Sequence, residues 1–350
     1  MHPKQPSTQL KMFSWVIVIG ALWIMALITL MLFQFKSPIF EKDKTLAILE
    51  LVENNVTLNE PISPLPVITT LDVNKIALGR QLFEDPILSE NNSLSCNSCH
   101  NLQQGGVDHL LVSKGIGVAN DRNTPTIYNV GFNFRQFWDG REITLEDELF
   151  AHTNKTNEMG LSMVQIAQKL QSNVLYQEQF KNVYGSDIIS ENTVVDAITT
   201  FERALVTPAP IDDWLRGNKK ALTDKQKKGY QLFKSYGCVS CHQGVNVGGN
   251  MFEKLGIFQN ILDEEKTHRD LGRFNITQQE ENKLEFRVPS LRNVALTAPY
   301  LHDGSVNTLR EAIMLMSQSQ LGISLQASDV DAIENFLESL TGQTPQALLQ

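Results

Sequence analysis

Cys96-Asn97-Ser98-Cys99-His100 sets two thiols three positions apart with an imidazole directly behind them, and Cys238-Val239-Ser240-Cys241-His242 repeats the arrangement. These are all four cysteines of the chain, so none is left for a structural disulfide. Three chemistries use paired thiols of this spacing. A redox dithiol sits at a helix start in a βαβ context and has no need of a following histidine twice over. A zinc site would draw both thiol pairs onto one ion and leave both histidines unexplained. Covalent attachment of haem c uses every residue: the thiols add to the vinyl groups and the histidine ligates the iron from the proximal face. Two copies that consume every cysteine select the third reading. Two covalently bound haem c groups are expected, on Cys96, Cys99 and His100 and on Cys238, Cys241 and His242.

Elements that would hold two such groups are visible as an internal repeat. Gly79-Arg80-Gln81-Leu82-Phe83 precedes the first motif as Gly229-Tyr230-Gln231-Leu232-Phe233 precedes the second. Gly105-Gly106 corresponds to Gly248-Gly249, Thr124 to Val130 (TPTIYNV) to Val288 to Val294 (VPSLRNV), and Phe137-Trp138-Asp139-Gly140 to Leu301-His302-Asp303-Gly304. Thr144-Leu145 and Thr308-Leu309 follow each glycine at the same distance. The chain reads as a tandem duplication of one cytochrome c-like unit, with the boundary near Trp214 to Gly217. Apolar residues at helical spacing over 74–83, 224–233, 308–316 and 327–340 make each unit mostly α, with Ser328 and Asp331 resembling a helix start. Sustained strand alternation is absent.

The open face of each iron carries the function. Met314 and Met316 lie at the right distance downstream to ligate the second iron, and Met/His ligation would raise its reduction potential. Both also suit an ordinary helix core. Thr308 and Met316 are eight positions apart, and the same offset from Thr144 lands on His152, which places an imidazole over the first haem. A surface or hydrogen-bonding histidine is the competing reading.

Phe13 to Phe33 contains no charged residue, histidine or proline and is long enough to cross a hydrocarbon core as one helix. The Gln34-Phe35-Lys36-Ser37-Pro38 that follows lacks a small-x-small cleavage site, so an uncleaved signal anchor is expected. Haem c is attached outside the bacterial cytoplasmic membrane, which orients the chain. The expected organisation is a cytoplasmic N-terminus over 1–12, a transmembrane anchor over 13–33, a periplasmic linker over 34–70, an N-terminal cytochrome c domain over 71–215 and a C-terminal one over 216–350. A formal net charge of −9 argues against nucleic-acid binding and suits a basic protein partner.

From about Leu71 to Thr341 the chain resembles the bacterial di-haem cytochrome c peroxidases and their MauG-like relatives. The resemblance rests on LFEDPILS, GGVD, RNTPT, QFWDGR, NEMG and VPSLRNVALTAPYLHDG. It implies hydrogen peroxide reduced at the N-terminal haem, with electrons entering the C-terminal haem from a small cytochrome c or a cupredoxin, and it allows a homodimer. Position by position, Met316 matches the Met ligand of the peroxidases, where MauG-like proteins have Tyr. Trp138 matches the tryptophan between the haems and Glu158 the distal acid/base glutamate. Asn123, Thr297 and Pro299 match ligands of an inter-domain calcium ion, which prefers oxygen. Three positions depart from the pattern. Ile116 stands where many members carry a displaceable distal histidine, Glu148 replaces a distal glutamine, and His152 replaces a proline. The first haem is then either open, or ligated or served as proton carrier by His152, less readily by His109. The alternatives to a peroxidase are a MauG-like enzyme that oxidises a partner protein and a non-catalytic electron-transfer cytochrome.

Overall fold

The computed structural model describes residues 60–68, 70–117, 120–155, 158–259, 270–343. The expected anchor over 13–33 lies outside the described residues. Among the described residues no helix is long and apolar enough to cross a membrane.

The chain is mostly helical, as two similar halves. The principal helices are α1 (Val73–Glu84), α2 (Leu145–Thr153), α3 (Met163–Gln171), α4 (Val174–Tyr184), α5 (Glu191–Ala204), α6 (Pro210–Leu215), α7 (Asp224–Ser235), α8 (Leu309–Leu321) and α9 (Ala327–Glu338). Their starts follow from local sequence. The Asp72 side chain accepts from the Asn74 and Lys75 amides, Thr144 caps α2, and Thr308 forms a capping box with Glu311 on α8. Helix α9 begins at Ala327 without a side-chain cap, one residue ahead of the Ser328 signal. A small antiparallel sheet, β1 (Phe252–Lys254) against β2 (Glu285–Arg287), was not expected, because its strands are too short for alternation to register.

Each half is built on one close helix pair, α1 with α5 and α7 with α9. The matched glycines of the repeat sit at these crossings. A Cβ on Gly79 would lie 2.0 Å from the Ala197 carbonyl oxygen, and one on Gly229 would lie 1.9 Å from that of Ala332. Mid-helix glycine is otherwise unfavourable by about 1 kcal/mol relative to alanine, so backbone contact explains both. Around the first pair Leu78, Leu82, Phe180, Val194 and Ile198 form the core; around the second, Tyr230, Phe233, Ile333 and Phe336 do.

The repeat is reproduced in detail at positions 164 apart, the interval from Thr144 to Thr308. Asn129 and Asn293 both adopt φ 60, a left-handed conformation that asparagine tolerates, and both donate their side-chain amides to Thr207 Oγ1 at 2.8 Å. Isolated bridges pair Gln136 with Glu142 and, equivalently, Tyr300 with Val306. The halves then exchange contacts reciprocally. The Asn123 amide donates to the His302 carbonyl at 2.8 Å, and the Arg287 amide donates to that of Trp138 at 2.8 Å.

Two stretches pack differently from the expected boundaries. Ile62 and Leu65, inside the expected 34–70 linker, are fully buried in the C-terminal core. Helix α6, ahead of the expected boundary at 215, buries Ile211 and Leu215 there too, and its Asp212 receives the Leu65 amide and both terminal nitrogens of Arg292. Apolar positions this sparse in a Pro- and Asn-rich stretch carry no periodic signal, so only their destination reveals them.

Candidate active site

Each Cys-x-x-Cys-His motif opens onto its own cavity: the first as a one-turn helix, Cys96–Cys99, separated from α1 by a loop, the second as a 3-10 turn, Cys238–Ser240, just beyond α7. The first cavity, about 460 Å³, is lined by Cys96, Cys99, His100, His152 and Glu158. The second, about 390 Å³, is lined by Cys238, Cys241, His242 and Met316. Asn123, Thr124, Pro125 and Trp138 belong to both walls. All four thiols are free. His100 turns Nδ1 to the Gly106 carbonyl at 3.4 Å and His242 turns its own to that of Val247 at 3.3 Å, which leaves Nε2 of each for a metal. Burial, only partly offset by these carbonyls, holds both imidazoles down to about 4, in the neutral form that ligates. Free thiols, oriented neutral imidazoles and cavities of this size fit two covalently attached haems, one per half.

The methionine ambiguity resolves by direction. Met316 lines the second cavity, whereas Met314, two positions away on α8, is 39% exposed. One face of the helix looks into the cavity and the other into solvent.

Helix α2 is the counterpart of α8, and its last turn carries His152 into the first cavity. His152 Nδ1 faces Glu158 Oε2 at 2.8 Å, an ion-pair distance at an angle short of a regular hydrogen bond; neither atom has another partner among the described residues. Lys155 Nζ holds the other Glu158 oxygen at 3.0 Å. Burial pulls the His152 pKa down, but the Glu158 and Glu148 carboxylates outweigh it and the net shift is upward. Burial pushes Glu158 up, and His152 and Lys155 overcome it to bring the carboxyl to about 2. The His100 and His152 ring centroids are 6.4 Å apart.

Trp138 Nε1 donates to the Asn123 carbonyl at 2.9 Å. The repeat equivalent of Trp138, His302, meets it edge-on with centroids 6.4 Å apart and stacks against Phe286 at 4.3 Å. Asn123, Thr297 and Pro299 line one wall of the second cavity, with the Asn123 amide nitrogen donating to the Leu110 carbonyl at 2.8 Å.

Three of the sequence candidates lie outside both walls. The His109 Nδ1 faces the Ala298 carbonyl at 2.8 Å in an exposed turn. Glu148 is packed near His152 without lining the cavity, its carboxyl raised chiefly by burial. Ile116 hydrogen-bonds through its amide to the Glu158 carbonyl at 3.0 Å and packs on the Gly160 turn.

Sequence reasoning missed the charges around the tryptophan. Arg122 joins Asp139 at 2.6 Å to Asp270 at 2.7 Å, and so ties the two halves together. Arg141 pairs with Asp139 at 2.9 Å and covers the Phe137 ring at 3.4 Å. Arg122 and Arg141 occur inside the quoted motifs and Arg287 directly precedes one; a charge at the edge of a buried loop was the available signal.

A family model described as di-haem cytochrome c peroxidase matches residues 73–220. The cytochrome c peroxidase Ccp of Escherichia coli (strain K12) is 46% identical over 287 residues, 81% of this chain and 62% of that protein. The chain thus spans under two thirds of the length of that relative. The cytochrome c551 peroxidase of Nitrosomonas europaea is 40% identical over 290 residues, 82% of this chain and 86% of its own. Among solved structures, a MauG-like protein associated with microbial copper homeostasis superposes with a TM-score of 0.69 at 29% identity, over 83% of this chain and 96% of that one. The chain belongs to the di-haem cytochrome c peroxidase family.

Proposed function

We propose that the protein reduces hydrogen peroxide to water at the N-terminal haem site, with electrons taken from a small cytochrome c or cupredoxin at the C-terminal one. The observation that carries this reading is the asymmetry of two otherwise equivalent cavities. One presents a Met beside its histidine, as an electron-transfer site does; the other presents a Glu158–His152–Lys155 cluster able to move protons. Haem bound at both motifs would supply the electron chemistry. Everything else falls to side chains.

Glu158 carries the proton transfer. Buried and ionised, it accepts a proton from the inner oxygen of peroxide and returns it to the outer oxygen, which leaves as water. One peroxide, two electrons and two protons give two waters. Lys155 holds the carboxylate in place. Trp138, the aromatic residue common to both walls, is the proposed electron route between the cavities.

With haem bound, His152 would be its ligand on the open face. Two metal–imidazole bonds of about 2 Å with a half-ring at either end separate coaxial ring centroids by roughly 6 Å, and 6.4 Å is observed. A histidine acting on peroxide would need room for the substrate and would stand about 3 Å further out, at hydrogen-bond distance. His152 would therefore close the site at rest, and peroxide would bind once the imidazole moved aside.

Met316 argues against the protein-oxidising alternative, because the MauG-like members carry Tyr there. A calcium ion at Asn123, Thr297 and Pro299 would brace the wall shared by the cavities. Anchorage by residues 13–33 with both haem domains in the periplasm, and a homodimer, complete the proposal; their support is the apolar run and the site of haem c attachment. The test is peroxide-dependent oxidation of a reduced small cytochrome c by purified protein. Glu158→Gln is expected to slow turnover by about 10²–10⁴-fold. Equal rates in the two proteins would reject Glu158, and no donor oxidation in either would reject the function.

A further inference from the structure

Strand β2 and the loop after it bury two guanidinium groups with opposite fates. Arg292, fully buried, is satisfied on every side: Asp212 at 2.9 and 3.0 Å, the Val245 carbonyl at 2.6 Å and the Ser63 carbonyl at 3.2 Å. Arg287, only 4% exposed, is not. Its Nε donates to the Phe137 carbonyl at 3.1 Å, while Nη1 is buried without a partner among the described residues. Burial lowers its pKa to about 10, against the pull of Glu148 and Asp139, so it stays cationic at neutral pH. Those two carboxylates act on it without reaching Nη1, and a buried guanidinium nitrogen left without a hydrogen-bond partner is costly and calls for an acceptor, best an anion. Arg287 is among the residues that line the cavity of Cys238, Cys241 and His242.

We infer that Arg287 is the counter-ion for a haem propionate in the C-terminal cavity. This rests on the haem assignment and not on peroxide chemistry. The pairing has a positional consequence, because Arg287 also grips the neighbouring half through two backbone contacts. Its amide donates to the Trp138 carbonyl at 2.8 Å and its Nε to that of Phe137. A propionate bound to Arg287 is thereby fixed relative to the loop that carries Trp138 between the two cavities. The device is one-sided: the repeat equivalent of Arg287 is Asn123, which has no charge.

The experiment compares Arg287→Gln and Arg287→Lys with the wild type, as holoproteins with two haems per chain verified by the pyridine haemochrome assay. Resonance Raman propionate-bending bands and a redox titration are recorded for each. Arg287→Gln is expected to shift one propionate band and lower the potential of the C-terminal haem, since a cation that favours the reduced state is gone; Arg287→Lys restores part of both. An unmoved Raman band, with or without a change in potential, overturns the pairing, because distant charge alone alters only the potential. A Gln variant that fails to mature leaves Arg287→Lys to decide: its propionate band must shift relative to the wild type, and an unshifted band overturns the pairing. Wild-type protein without two haems would instead remove the haem assignment beneath it.

Discussion

At the scale of single residues, the distal cluster decides what the N-terminal cavity can do. His152 stands on the last turn of α2, the position that Met316 takes on α8, so the duplication presents a different potential ligand to each cavity. Glu158 engages Nδ1 of His152, which leaves Nε2 as the nitrogen free to serve the cavity, as carboxylates do beside metal-binding histidines. His152→Ala is expected to convert one low-spin haem of the resting protein to high-spin, read by electron paramagnetic resonance. A high-spin haem already present at full occupancy in the resting wild type would show that His152 does not ligate.

Among the elements, the close helix crossings are what make two haem-binding halves from so little core. Gly79 and Gly229 let backbone meet backbone, and each crossing sets the helix that leads into a Cys-x-x-Cys-His turn. Gly79→Ala would gain about 1 kcal/mol of helix propensity yet drive a methyl group to 2.0 Å from the Ala197 oxygen. Overpacking of that kind costs about 1–3 kcal/mol, and separation of the helices adds to it. The net effect expected is a lowered thermal midpoint with both haems still attached, measured by calorimetry on the holoprotein. An unchanged or raised midpoint would mean the crossing relaxes freely.

Across the whole molecule, the halves are joined by charge as well as by reciprocal backbone contacts. Arg122 spans Asp139 in one half and Asp270 in the other. Burial alone would raise the Asp270 carboxyl, but Arg122 holds it below its ordinary range. The folded state thus binds the Asp270 proton less readily than the unfolded chain does. Its contribution to stability is complete above the ordinary aspartate range and is lost as pH falls through the lower, folded value. Asp270→Asn should therefore flatten the acid side of the stability profile relative to wild type, leaving the neutral-to-alkaline slope unchanged. Parallel profiles in denaturant titrations from neutral pH to pH 3 would show that the bridge carries no such linkage.

What the sequence by itself determined is whatever local spacing and repetition encode: two haem attachment motifs, the duplication, the helices that flank them, and, through the family motifs, Trp138, Glu158 and Met316 as candidates. Chemistry of that kind is written in residue types a fixed number of positions apart. Tertiary structure alone decided which side chains share a cavity. It separated Met316 from Met314, moved Glu148 and Ile116 behind the wall, brought the His152 ring to 6.4 Å from that of His100, and packed Ile62 into the C-terminal core. It also brought Arg122 to Asp270, across a separation of well over a hundred positions, and left Arg287 Nη1 without a hydrogen-bond partner among the described residues. Such contacts depend on how two halves close on each other, and no periodicity along the chain records that closure.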